Sequence, residues 1–151
     1  MKAIATAALM LTLILSIPSP AMAATSGHMT LLTVAENDEM QFGGTADVYL
    51  EIHPGKGRVF IDSLPLTKLD TQISTRFAHE LACDFLEMDC SNKDFFYTIR
   101  ADSSVVGGPS AGGALTVLTI AVLGDLPLDN ETVMTGTIQS GGLIGPVAGI
   151  K

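Results

Sequence analysis

Gly107-Gly108-Pro109-Ser110-Ala111-Gly112-Gly113 runs directly into the apolar stretch Ala114–Leu123, which sets one serine at the mouth of an expected helix. Backbone N–H groups at a helix N-terminus lack intrahelical acceptors and carry partial positive charge. They can therefore hold an oxyanion or a phosphate beside the serine hydroxyl. On these seven residues alone two readings stand. In one, Ser110 is a nucleophile in a loop shaped by Gly108, Pro109 and Ala111. In the other, Gly-Pro-Ser is a turn and Ser110 an ordinary N-cap.

Further motifs follow at set intervals: Val133-Met134-Thr135-Gly136, then Gly145-Pro146-Val147-Ala148-Gly149-Ile150. Upstream, Pro54-Gly55-Lys56-Gly57-Arg58 follows the alternating segment Val48-Tyr49-Leu50-Glu51-Ile52. Together with the serine loop these resemble the proteolytic domain of the Lon proteases (the S16 serine peptidases) over roughly residues 30–151. That family reads Gly-Pro-Ser-Ala-Gly, then Met-Thr-Gly, then Pro-x-Gly-Gly-x-x-x-Lys, and works with a Ser/Lys dyad. The resemblance implies Ser110 as nucleophile and Thr135 as the residue that orients the lysine amine. It places the dyad lysine two residues after Lys151, so Lys151 itself is not expected to be the base. A chain ending inside this motif is expected to be a truncated domain, inactive as it stands. The family commonly has an acidic residue where this chain has Gly107, and Val106 with Gly107 makes the loop more apolar than usual.

The chemistry implied is acyl transfer. Ser110 Oγ would attack a peptide carbonyl while a buried lysine, kept neutral by desolvation, accepts the proton. Backbone N–H groups at the helix start, including that of Ser110, would hold the tetrahedral oxyanion. Lys56, in a Gly-Lys-Gly turn, reads as a solvated charge rather than a substitute base. Two other readings remain. One is a degenerate, inactive domain that binds peptides or supports assembly. The other is a GHMP-type small-molecule kinase, whose phosphate loop also ends in serine at a helix start. The absence of a Ser-Ser pair and of a recognisable Mg²⁺-holding carboxylate counts against the kinase.

Charge and composition narrow the setting. A net charge of −8 argues against nucleic acid as a partner, and no Gly-x-x-x-x-Gly-Lys-Ser/Thr nucleotide loop occurs, so no ATP is expected. Lys2, the apolar run Ala3–Ile17, the helix-breaking Pro18-Ser19-Pro20 and Ala21-Met22-Ala23 form a signal-peptide pattern over residues 1–23. Residues 24–151 are then the proteolytic-type domain, secreted or otherwise extracytoplasmic, or membrane-anchored if the segment is not cleaved. The resemblance implies the ATPase-lacking, Lon-like branch, unfolded protein or peptide substrates, and a homo-oligomer with the hexamer as the family's usual form. No cofactor and no metal site is read from the scattered His28, His53 and His79. Cys83 and Cys90 would lie roughly 10 Å apart on one continuous helix, so a disulfide requires the helix to end between them, at Asp89 or Ser91-Asn92. Both a bridge and two thiols stay open, with two thiols preferred.

The elements that must position the serine follow from periodicity. Leu31–Ala35 and Asp47–Ile52 read as strands, with the Pro54–Gly57 turn joining the latter to Arg58–Ile61 as a hairpin. Between Leu69 and Met88 the stripe Ile73, Phe77, Leu81, Phe85, Met88 predicts a helix whose apolar side packs on a sheet. Phe95–Arg100 reads as a strand, Ser110–Leu123 as a second helix, Val133–Ile138 as a strand and Gly141-Gly142 as a hairpin turn. Strands with helices on one face make an α+β domain. The resemblance implies the ribosomal-protein-S5-domain-2 type of fold.

Overall fold

The computed structural model describes residues 25–36, 41–102, 107–129, 131–139 and 141–148. The signal-type segment, Val106 and Lys151 lie outside the described residues. Strands β1 (Thr25–Glu36), β2 (Gln41–Pro54) and β3 (Val59–Leu64) precede helix α1 (Leu69–Phe85) and strand β4 (Lys93–Ala101). A 3₁₀ turn (Pro109–Ala111) then opens helix α2 (Gly112–Leu123), and the short strands β5 (Thr137–Ile138) and β6 (Ile144–Gly145) follow. The main sheet has the order β1-β2-β4-β3, antiparallel except for the parallel pair β3 and β4. Parallel neighbours need a long crossover, and α1 supplies it.

Alternation in the strands sorts the sheet's two faces. Met29, Leu31, Val48, Leu50, Ile52, Phe95, Tyr97 and Ile99 are buried, together with Ala114, Leu115, Leu118 and Val122 of α2. Tyr97 Oη meets Thr119 Oγ1 of α2 at 2.8 Å, and the His79 ring of α1 stands edge-on to Phe95 at 4.4 Å, so both helices cover this same face. On the other face Tyr49, Phe60 and Phe96 are exposed. The result is the expected α+β layering, with helices on one side of a mixed sheet. Among the described residues no helix is long and apolar enough to cross a membrane.

Several expectations are corrected. The predicted hairpin between β2 and β3 is not one, because β4 inserts between them and pairs with both. Asp94, at the start of β4, makes the insertion possible. Its carboxylate accepts the N–H groups of Lys56 (2.8 Å) and Arg58 (3.0 Å) and the Arg58 guanidinium, which ties the connecting loop to β4 rather than to a β2–β3 ladder. The strand expected over Val133–Ile138 is reduced to Thr137–Ile138, with an isolated parallel bridge between Met134 and Leu31. Gly141 and Gly142 do form the turn between β5 and β6, at φ 85° and 80°.

Of the apolar stripe expected over Leu69–Met88, Phe77, Leu81 and Met88 are only half-buried. Ile73 and Phe85 are exposed, whereas Thr71, Ser74, Thr75, Ala78, Ala82 and Cys83 are buried. Small residues on this face allow α1 to lie close to α2. The helix ends at Phe85, with Glu87 at φ 51°, earlier than Asp89. That reversal brings Cys90 back to Cys83 with 6.2 Å between Cα atoms, and the two form a disulfide instead of the preferred pair of thiols.

Candidate active site

Ser110 is half-buried at the junction of the 3₁₀ turn and α2. It is neither the N-cap nor the first residue of the α-helix, as the sequence suggested. Gly112 begins α2, and Ala111 precedes it with no side-chain capping bond. Pro109 takes the first position of the 3₁₀ turn, where its missing N–H costs nothing. Gly108 sits at φ 106°, ψ 148°, a conformation essentially confined to glycine. This kink immediately precedes the 3₁₀ turn that carries Ser110. The Ser110 N–H lies at the start of the turn, where helical geometry offers it no acceptor. Among the described residues no side chain hydrogen-bonds to Ser110 Oγ.

Thr135 comes to the same place, through Ser110's backbone. Its Oγ1 donates to the Ser110 carbonyl at 3.3 Å, and Gly136 N–H donates to the same oxygen at 2.8 Å. Gly113 N–H in turn donates to Gly136 O at 2.9 Å. The Met-Thr-Gly segment thus clamps the serine turn from one side. The clamp needs small residues: a Cβ on Gly112 would lie 2.7 Å from Ile138 Cγ2, and one on Gly136 would lie 2.6 Å from Ile144 Cγ2.

On the other side stands a residue that sequence reasoning missed. Asp70, in the first turn of α1, accepts the Gly108 N–H at 3.0 Å through Oδ2, while its Oδ1 holds the Thr71 N–H at 2.7 Å. A carboxylate therefore does reach the serine loop, although Gly107 carries none. An acidic residue in the first turn of a helix was the available signal, but 38 residues of separation hid its partner. Gly107 has its own structural use. A Cβ there would fall 2.4 Å from Lys68 Cδ, so the bare backbone lets the Lys68 stem lie across the loop. Lys56 is exposed, its backbone N–H bound to Asp94, as fits a turn charge.

The arrangement is a serine hydroxyl beside a backbone N–H that has no partner among the described residues, at the positive end of a buried helix, in a turn clamped from two sides.

No protein-family model matches the chain. Curated proteins do. A Lon protease of Fervidobacterium nodosum is 29% identical over 113 residues, covering 72% of this chain and 14% of that protein. One from Phenylobacterium zucineum is 41% identical over 58 residues (38% of this chain, 7% of that protein). One from Rhizobium meliloti is 28% identical over 102 residues (65% and 13%). The chain thus spans about one-seventh or less of the length of these relatives.

Proposed function

From a chain homologous to a segment of the Lon proteases, we propose a serine-type endopeptidase domain in which Ser110 is the nucleophile. The observation that carries the reading is the Gly108 kink. It opens the 3₁₀ turn that carries Ser110 into α2, which supports a reading in which backbone N–H groups there stabilise an acyl-transfer oxyanion. The attack forms a bond from Oγ to the scissile carbonyl carbon. Charge moves to the carbonyl oxygen, which the Ser110 N–H receives, and the hydroxyl proton passes to a general base, the part a lysine plays in a Ser/Lys dyad. Thr135, which clamps the Ser110 carbonyl, fixes the turn that carries the nucleophile.

The substrates in this reading are unfolded proteins or peptides, cleaved without ATP by an oligomeric, S5-domain-2-like proteolytic domain outside the cytoplasm. The signal-type N-terminus supports export, and a place outside the cytoplasm, where ATP is scarce, supports ATP independence. The test is degradation of an unfolded protein such as casein by the protein and its Ser110→Ala variant, with and without ATP, together with labelling by a serine-reactive phosphonate. The expected result is ATP-independent cleavage and labelling, both lost in Ser110→Ala by several powers of ten. Equal activity in the variant removes Ser110 from the mechanism.

A further inference from the structure

At the far end of α1, roughly 20 Å along the helix from Asp70 by its 1.5 Å rise per residue, the fold gathers three soft donor groups that the peptidase reading does not use. His79 and Cys83 are one helical turn apart on the same face, and the chain reversal at Glu87 returns Cys90 to them. One ligand atom from each of His79, Cys83 and Cys90 lies within 4.8 Å of the other two. Both cysteines are buried. The His79 ring is wedged against Phe95, and its Nε2 is buried with no hydrogen-bond partner among the described residues. A buried imidazole nitrogen with no partner is costly unless something occupies it.

We propose that His79, Cys83 and Cys90 form a redox-gated site for a thiophilic divalent cation, zinc above all, which is open when the cysteines are reduced and closed when they are bridged. The proposal is independent of the peptidase reading. Two thiolates and one imidazole are the donor set of a borderline-soft ion, and about 2.3 Å to sulfur and about 2.0–2.1 Å to nitrogen suit a cluster of this span. A tetrahedral ion so held leaves its fourth position to water.

The chemistry balances as follows. A small dithiol reductant attacks the Cys83–Cys90 bond through a mixed disulfide. The S–S bond breaks, two electrons and two protons pass to the cysteine sulfurs, and the reductant leaves as its own disulfide. Metal binding then displaces the two thiol protons, while neutral His79 gives its Nε2 lone pair without losing a proton. Oxidation reverses the sequence: the thiolates surrender two electrons to a disulfide oxidant, the bridge re-forms and the ion is released.

The experiment uses the 151-residue chain, reduced with a dithiol under anaerobic conditions, freed of the reductant, and titrated with Co²⁺ and then Zn²⁺. The expected result is one ion per chain, with the thiolate-to-cobalt charge-transfer and tetrahedral ligand-field bands of a two-sulfur site, displaced by Zn²⁺. Cys83→Ser should weaken binding by about 100-fold or more and His79→Gln by about 10-fold or more. The bridged chain should bind nothing at this site. Circular dichroism run in parallel separates ligand loss from unfolding, and if the reduced chain loosens, metal should restore its helical signal. The proposal is overturned if the reduced chain takes up no Co²⁺. Equal binding in the bridged chain or in Cys83→Ser, or a reduced chain that stays unfolded with metal present, overturns it as well.

Discussion

Asp94 is 4% exposed and ionised at neutral pH, which requires compensation, and it has four donors. The Arg58 side chain first, then the Lys56 N–H, hold its carboxyl well below the usual carboxylate range. A carboxyl depressed in the folded state contributes stability above its unfolded value and loses it as pH falls through the folded one. Asp94→Asn should therefore unfold at lower denaturant than wild type at pH 7. The gap should hold down to about pH 5 and shrink as pH falls below roughly 3.9, the ordinary value for aspartate. Denaturant titrations across that range check it. Thr119 offers a second residue-scale test. Its hydroxyl proton is spent on the Leu115 carbonyl at 2.6 Å, so Tyr97 must be the donor in the pair they share. Tyr97→Phe leaves Thr119 still bonded, whereas Thr119→Val strands a buried phenol. We expect Thr119→Val to cost about 1–3 kcal/mol and Tyr97→Phe distinctly less, read by chemical denaturation.

Helix α1 shows where elements are legible and where they are not. The four-residue recurrence Ile73, Phe77, Leu81, Phe85 identified the helix, because only helical geometry aligns such positions. It did not identify the buried face, since Thr71, Ser74, Thr75, Ala78 and Ala82 recur at the same spacing, and α2 and the sheet accept the narrower side chains. Burial was decided by the opposing surface, which one segment's sequence does not contain. The swap has measurable weight. Ala78→Leu, at a fully buried position, should overpack the α1–α2 contact and cost about 1–3 kcal/mol, while Ile73→Ser, at an exposed one, should stay within about 0.5 kcal/mol. Thermal melts of the two variants decide between the faces. The serine loop behaved similarly. Gly108, Pro109 and Ser110 announced a sharp turn. The Asp70 contact and the 3₁₀ geometry depended on partners distant in the chain.

Across the whole molecule the least legible feature was strand order. Parts of all four strands of the main sheet were legible, β1 over Leu31–Ala35 and β2 over Asp47–Ile52 only, but nothing local in Pro54–Gly57 distinguishes a hairpin from a loop that leaves room for β4. Asp94, 36 residues from Arg58, makes that distinction. Central position should govern local stability. Amide exchange measured by NMR should be slowest at Val48–Ile52 and Phe95–Ile99, in the two strands with neighbours on both sides, and faster along β1 and β3. The placement of β4 also bears on how the chain is made. On the ribosome β1 and β2 can pair as soon as both have emerged, but β3 appears with no ladder to join until residues 93–101 follow. At roughly 5–20 residues per second, synthesis takes about 1.5–6 s to pass from the end of β3 to the start of β4. Throughout that interval both edges of β3 and one edge of β2 are open to strangers. This is the stretch of translation at which a holding chaperone would matter most to this chain.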